Sequence, residues 1–300
     1  MKTRILCIAL CIATALLMIG SVRSIYGAAV TQTDGVTTVL RLASYADGGH
    51  PSTLAARYFA ERVGEQTDGR ISIQVVEDGE LGEEKATVEQ LEFGGIAFAV
   101  VCCLAMPENT LAEHEDGTLT LDPDALDMHR LKLFGEFAPD YRCIANSSGL
   151  LTDRARCTGV SVGAAYTSER LLGVLGRYGF DVVPHSGGDL VGSLHYGYLD
   201  AMELSLMSYA TKSYAQALPY LSVYDGPRAP DVLLASQVSM GKLPAEDQRI
   251  IRECAGEAAQ YQQASLSAWQ AEAVSQLVRK NVQIYPQAFA DEFPGDGAAL

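Results

Sequence analysis

The spacing of apolar and polar residues changes period several times along the chain. From Thr37 to Ser44, T-T-V-L-R-L-A-S alternates as a strand does, and a polar loop from Tyr45 to His50 follows, with the pair Gly48-Gly49. At Pro51 or Ser52 the period lengthens to that of a helix, with Leu54, Tyr58, Phe59, Arg62 and Val63 as its inward stripe. Proline suits that first turn, where its missing N–H costs no hydrogen bond. Asp68-Gly69 stops the helix, since glycine takes the left-handed conformation freely. Ile71, Ile73 and Val75 then read as a strand. Gly79 to Gly82 lead into a second helix carrying Val88 and Leu91, which Gly94-Gly95 closes before the apolar run Ile96 to Val101. Helix, turn, buried strand, helix and strand form the unit from which a parallel sheet bordering a ligand cleft is built.

Between Met106 and Asp127 the pattern dissolves into acidic and small residues. Their spacing matches no EF-hand, so a solvated loop rather than a metal site is expected there. Leu131 to Phe137 restores a strand, and a strand pair is predicted around Arg142 to Ala145 and Gly159 to Val162, joined through Asn146-Ser147-Ser148-Gly149. Tyr166 to Val183 repeats the helix-turn-strand logic and implies a second lobe. A short helix through Leu190 and Leu194 and a strand within Gly197 to Ser205 come next. Asp225-Gly226-Pro227 and Pro230 then mark a place for the chain to cross between lobes before the strand Val232 to Ser236.

Leu243-Pro244-Ala245-Glu246-Asp247 opens the last helix, with acids at its positive end. Ile251, Ala255, Ala258, Gln262, Leu266, Trp269, Ala273 and Leu277 recur at gaps of three and four, which continues the helix to about Lys280. At 1.5 Å per residue its length is roughly 50 Å, longer than one small lobe, so it reads as a strut across both.

The chain of 300 residues, 48% of them hydrophobic, can bury two moderate cores. Its 22 lysines and arginines stand against 37 acidic residues. The formal net charge of −15 falls to about −18 without Lys2, Arg4 and Arg23, and such a field disfavours nucleic acid and anionic lipid surfaces. Residues 1–29 read as a secretory signal: Lys2 and Arg4 precede the apolar run Ile5 to Gly20, and the small residues Gly27-Ala28-Ala29 offer a cleavage site. Export to the periplasm follows, with the leader either removed or retained as a membrane anchor.

Beyond the leader stand Cys102, Cys103, Cys143, Cys157 and Cys254, an odd set in a compartment that permits disulfides. Cys102 and Cys103 read as small buried hydrophobes. Cys143 and Cys157 flank the predicted strand pair and form the candidate bridge, which would contribute roughly 3 kcal/mol. No C-x-x-C spacing supports zinc, and no metal or other cofactor is implied.

Six segments in order, H-P-S-T-L-A, T-D-G-R-I-S-I, G-E-L-G-E-E, the Y-R-C strand, G-Y-L-D-A-M-E and L-P-A-E-D-Q-R-I-I, resemble the solute-binding proteins of TRAP transporters, the DctP-like family. The resemblance runs from about Leu40 to Phe293, poorest over Met106 to Asp127. It implies an α/β fold of two lobes, like other periplasmic binding proteins, with crossing strands and a long C-terminal helix spanning them. Lobe I would be residues 36–140 plus 230–266, and lobe II residues 141–229 plus 267–300. The expected partners are a small-molecule ligand in the interlobe cleft and membrane permease subunits that recognise the closed form.

The family binds organic acids through an arginine in a G-x-K-x-R motif. The corresponding segment here is Gly159 to Gly163, with Gly163 in the arginine's place. Leu204 follows Glu203 where an asparagine is common, and Ser236 or Gln237 stands nearest to another expected asparagine. Arg142 matches an arginine that some members direct at ligand; the alternative is a strut bonded to Asp140 or another carboxylate. Without a fixed cation a desolvated cleft disfavours carboxylates. The expected ligand is therefore apolar or amphipathic, held by Tyr45, His50, Tyr166, Leu204 and neighbours.

Catalysis has little support. His50, His114, His129, His185 and His195 are scattered, and no nucleophile elbow, H-E-x-x-H or phosphate-cradling motif occurs. His50 and His185 are expected in cleft-facing loops, and Ser186-Gly187-Gly188 is too weak a signal for an anion loop. An interaction protein working with a tetratricopeptide-repeat partner is the alternative function.

Overall fold

The computed structural model describes residues 37–164, 166–184, 190–212 and 214–288. The leader, His185 and Ser186-Gly187-Gly188 lie outside the described residues. The strands in chain order are β1 Thr38–Ser44, β2 Ile71–Val76, β3 Phe98–Cys102, β4 Leu111–Glu113, β5 Leu119–Leu121, β6 Leu131–Glu136 and β7 Arg142–Asn146. After them come β8 Ser161–Ala164, β9 Asp181–Pro184, β10 Ala201–Ser205, β11 Tyr220–Tyr224, β12 Asp231–Ser236 and β13 Gln283–Ala288. Four helices matter most: α1 Pro51–Gln66, α2 Glu84–Phe93, α3 Glu169–Arg177 and α4 Ala245–Arg279.

Among the described residues, one sheet has the order β2-β1-β3-β12-β6 and the other β13-β11-β7-β10-β8-β9. In the first, β1 pairs in parallel with β2 and β3, which the connecting helices α1 and α2 permit, and β12 enters antiparallel beside β3. The chain passes from the first sheet to the second through residues 137–141 and returns through 225–230. It passes over once more along α4, which leads into β13.

Helix α1 begins where His50 accepts the Ser52 N–H on Nδ1, at 3.3 Å, with Pro51 in the first turn. Its buried face is Ala55, Ala56, Phe59 and Val63. The expected stripe is corrected at Leu54, Tyr58 and Arg62, which are half-buried. The two alanines let the helix lie close to the sheet, where Phe59 meets Phe98 edge-on at 5.2 Å. Tyr58 and Arg62 turn toward α4 instead: Tyr58 stacks on Tyr261 at 4.6 Å, and Arg62 Nε donates to Glu257 at 2.7 Å.

The predicted pairing of Arg142 to Ala145 with Gly159 to Val162 is corrected. Both β7 and β8 exist, but β10 lies between them and pairs with each. The loop after β7 is wound tight by Asn146, whose Oδ1 accepts the Ser148 and Gly149 N–H groups, and it continues into a helical turn, Arg154–Cys157. The Cys143–Cys157 bridge is corrected with it. Cys143 packs with Leu204, Tyr209 and Leu221, whereas Cys157 belongs to the separate cluster of Val162, Leu171 and Leu175. None of the five cysteines among the described residues is in a disulfide, and all five are buried.

The acidic segment is not the expected solvated loop. Its charged residues face water, while Leu119, Leu121 and Leu126 are buried and hold a β4–β5 hairpin and a helical turn, Pro123–Met128, against the core. Burial of such side chains is worth roughly 1.5–3 kcal/mol each, enough to order a short excursion. Leu119 N–H also donates to the Arg228 carbonyl at 2.8 Å, tying the hairpin to the crossing segment 225–230. Among the described residues no group of His, Cys, Asp and Glu could hold a metal ion.

Helix α4 has 35 residues, about 53 Å at the usual rise. Its stripe follows the expected positions except at Trp269, which is half-buried while Gln270 is buried. The glutamines face the crossing at 137–141. Gln262 accepts the Ala138 N–H at 2.7 Å and donates to the Ala138 carbonyl at 3.2 Å, and Gln270 donates to Asp140 Oδ1 at 2.7 Å. A chain leaving one sheet for another has no strand neighbour to satisfy its peptide groups, and the helix supplies an amide instead. Gln262→Leu should therefore cost about 1–3 kcal/mol, through two orphaned backbone groups, despite its better match to an apolar stripe. Urea unfolding of parent and variant measures this.

Candidate functional site

Between the two sheets lies a cavity of about 890 Å³. The carboxyl ends of β1 and β3 and the start of α1 bring Tyr45, His50, Ser52 and Cys102 to one wall. The other wall takes Arg142 from β7 and Glu203 and Leu204 from β10, with Tyr166 just beyond β8. Asp140, from the crossing segment 137–141, and Gln262 and Leu266 of α4 also line it.

Arg142 is 6% exposed and Glu203 fully buried. Arg142 Nε donates to Glu203 Oε1 at 2.7 Å and Nη2 to Oε2 at 2.6 Å, a fork-to-fork pair. Tyr224, directly opposite Arg142 on β11, adds its hydroxyl to Glu203 Oε1 at 2.8 Å. Burial works against the guanidinium charge, but Glu203 beside it keeps the Arg142 pKa well above the ordinary value. Its plane also lies 5.8 Å from the centre of the Tyr166 ring. Arg142 thus has Glu203 rather than Asp140 as its carboxylate partner, and it also lines the cavity. Asp140 instead accepts the Met207, Tyr141 and Gln270 N–H groups, and burial raises its pKa in spite of them.

Opposite this pair stand two carboxyl groups that the motif reading passed over. Glu84 is the first residue of α2, and its Oε1 accepts the Cys102 N–H at 2.7 Å. Burial pushes its pKa up to about 8. Asp231 opens β12 in register with Cys102, and its Oδ2 accepts the hydroxyls of Ser52 at 2.5 Å and Tyr45 at 2.9 Å. Glu84 sits inside G-E-L-G-E-E, at a helix start where a carboxylate is ordinary capping chemistry. Asp231 was visible as one charged residue heading the apolar strand D-V-L-L-A-S.

Six of the expected site residues, Tyr45, His50, Arg142, Tyr166, Glu203 and Leu204, line the cavity together. Gly163 and Ser236 do not. Gly163 is buried within β8, between Met202 and Val183 in register. Ser236 is the fully buried N-cap of the turn Gln237–Met240, its Oγ accepting the Ser239 N–H. Tyr45 has its pKa pushed well above the ordinary value by burial and then by Asp231, so it remains a neutral donor.

A family profile described as bacterial extracellular solute-binding protein, family 7 (DctP), matches residues 42–110 and 166–293. The chain belongs to this family. The unmatched stretch between the two segments holds the acidic hairpin, Arg142 and Gly163. A solute-binding protein of Chromohalobacter salexigens is 24% identical over 233 residues, 72% of this chain and 69% of that protein. Among solved structures, a TRAP periplasmic solute-binding protein from Sulfitobacter sp. NAS-14.1 with bound β-D-galacturonate superposes with a TM-score of 0.74 at 20% identity, covering 83% of this chain and 89% of its own. The sugar acid binding protein DctPAm of Advenella mimigardefordensis, in complex with galactonate, gives a TM-score of 0.76 at 19% identity, covering 86% and 88%. These family-7 neighbours share the two-lobed α/β fold. The family is periplasmic, takes small molecules and works with membrane permease subunits.

Arg142→Ala should destabilise this family-7 chain by about 3–5 kcal/mol, because it strands a buried carboxylate. Adding Glu203→Gln to it should recover part of that loss in chemical denaturation. Glu84 gives a pH signature. Its pKa is about 8 in the folded chain against an ordinary 4.5, so between these values the unfolded chain has released a proton that the folded chain still holds. Stability then falls as pH rises through that window. Melting temperatures at pH 5 and 8 should show a larger drop in the parent than in Glu84→Gln.

Proposed function

We propose that this chain captures a small molecule between its lobes outside the cytoplasm and hands it to the membrane subunits of a TRAP-type transporter, as a carrier rather than a catalyst. The interlobe cavity carries the reading: about 890 Å³ suits one small molecule, and its rim is tied from both sides. At one edge Glu108 accepts the Glu169 N–H at 2.7 Å and Arg170 pairs with Glu113; at another Lys212 lies 3.8 Å from Asp78. These ties join residues 36–140 plus 230–266 to residues 141–229 plus 267–300, the two bodies proposed to hinge. The cavity's thiol gives no support to covalent chemistry, since a side-chain hydrogen bond with Cys103 and burial push the Cys102 pKa well up.

The neighbours named above hold sugar acids. In this chain Gly163 replaces the clamping arginine and Arg142 is matched by Glu203, which supports a cargo other than a simple carboxylate. Val88, Leu104, Met106, Met202, Leu204 and Met207 line part of the cavity and suit an amphipathic molecule.

Small-angle scattering tests the carrier reading. The purified chain stripped of cargo should contract when given a small-molecule extract of its growth medium, and Arg170→Ala, lacking one rim tie, should start more expanded. A radius of gyration indifferent to extract, in a protein that retains no small molecule, would refute it.

A further inference from the structure

The carrier reading leaves the cargo's polar end undefined, and the cavity wall narrows it. Glu84 and Asp231 reach the same end of β3, one through the Cys102 N–H and the other through its register with Cys102. Both are half-buried and open to the cavity. Among the described residues neither takes part in an ion pair, while the deep cation, Arg142, is matched by Glu203. Of the lysines lining the cavity, Lys85 is exposed and Lys212 faces Asp78 at the rim. The rings of Tyr45 and Tyr166 line the same cavity from its two walls.

His50 supplies an independent sign that something is to be bound. It is 3% exposed and lines the cavity. Its Nδ1 accepts the Ser52 N–H, so in the neutral ring the proton sits on Nε2, assigned by that hydrogen bond. Nε2 is buried and has no partner. A buried donor left unsatisfied costs stability, and a ligand oxygen would remove that cost.

We propose that the cargo is a small organic cation: an ammonium group seated on Glu84 and Asp231 beside the rings of Tyr45 and Tyr166, with a hydroxyl or carbonyl oxygen accepting from His50. The assignment rests on the carrier reading and narrows it to a substrate class. A carboxylate in this position would meet two carboxyl groups with no unmatched buried cation. An ammonium gains both acids, with the rings of Tyr45 and Tyr166 beside them. Glu84 is faced by Asp231 of β12, Tyr45 beyond β1, Cys102 of β3, Arg142 of β7 and Tyr166. Burial keeps it largely protonated near neutrality, so a bound cation should drive it to ionise and expel a proton.

Titration calorimetry with choline, ethanolamine and diaminobutane, against dimethylbutanol as the uncharged isostere of choline and D-glucuronate as an anion, tests this. At least one of the cations should bind. Choline, if it is among them, should bind at least tenfold more tightly than its isostere, and proton release should appear on comparing buffers of different ionisation heat. Glu84→Gln and Asp231→Asn should each weaken the cation by about tenfold or more, the loss expected for a hydrogen bond to a charged group. The parent protein decides alone if a variant fails to fold. Binding of glucuronate or the isostere in preference to the cations, or no binding of any cation, overturns the inference. Contraction in scattering under those outcomes leaves the carrier reading standing, and its absence removes both.

Discussion

Arg142, Glu203 and Tyr224 occupy three neighbouring strands of the second sheet, β7, β10 and β11, with their polar ends meeting where the sheet faces the cleft. Arg142 and Glu203 are not directly opposite: Arg142 pairs with Ser205 and Glu203 with Ile144, so the two side chains share a face and reach each other diagonally. This geometry fixes one edge of the guanidinium, Nε and Nη2, on both oxygens of one carboxylate. An arginine so engaged still fills space and orders the wall, but its charge is compensated. The balance of the cleft is then set by other half-buried acids that line it, Glu84, Asp231 and Asp140.

The same economy of polar groups recurs where the chain changes sheets. Phe137 still donates its N–H to Asp231 of β12, but beyond it the segment leaves the sheet, and α4 answers with Gln262 on the backbone of Ala138 and Gln270 on Asp140. Asp140 in turn accepts the Met207 N–H at the start of the helical turn Leu206–Thr211. Helix, crossing segment and second lobe are thus connected by side-chain hydrogen bonds at the pivot. Apolar packing of α4 is strongest toward its ends, with Ile251, Ala255 and Ala258 on the first lobe and Ala273 and Leu277 nearer the second.

Much of this was legible in sequence because it is local. Period-two and period-3.6 patterns, with glycine at Gly69 and Gly94 in the left-handed region, mark β1 to β3, α1, α2 and the long helix. Non-local facts were not. Nothing in the residues around Cys143 and Cys157 says that β10 will insert between β7 and β8, so a hairpin and a bridge looked natural where neither exists. In the acidic segment, apolar leucines at positions 119, 121 and 126 were outnumbered by charges, although a few buried side chains suffice to order a short hairpin. The family motifs pointed to Arg142 and Glu203 separately. Their mutual neutralisation, and the convergence of Glu84 with Asp231, arise only when four distant segments meet.

The family relationship supplies the scaffold and the carrier role, and this chain's own residues set the selectivity. In the proposed reading Gly163 of β8 stands where an arginine would anchor an acid, and the buried cation nearby is matched by Glu203. Mass spectrometry of the small molecule released on denaturing freshly purified protein tests that account most directly. A cargo carrying an ammonium group, seen in positive-ion mode at near one equivalent, is the predicted result; a uronate or another simple carboxylate in its place would contradict it.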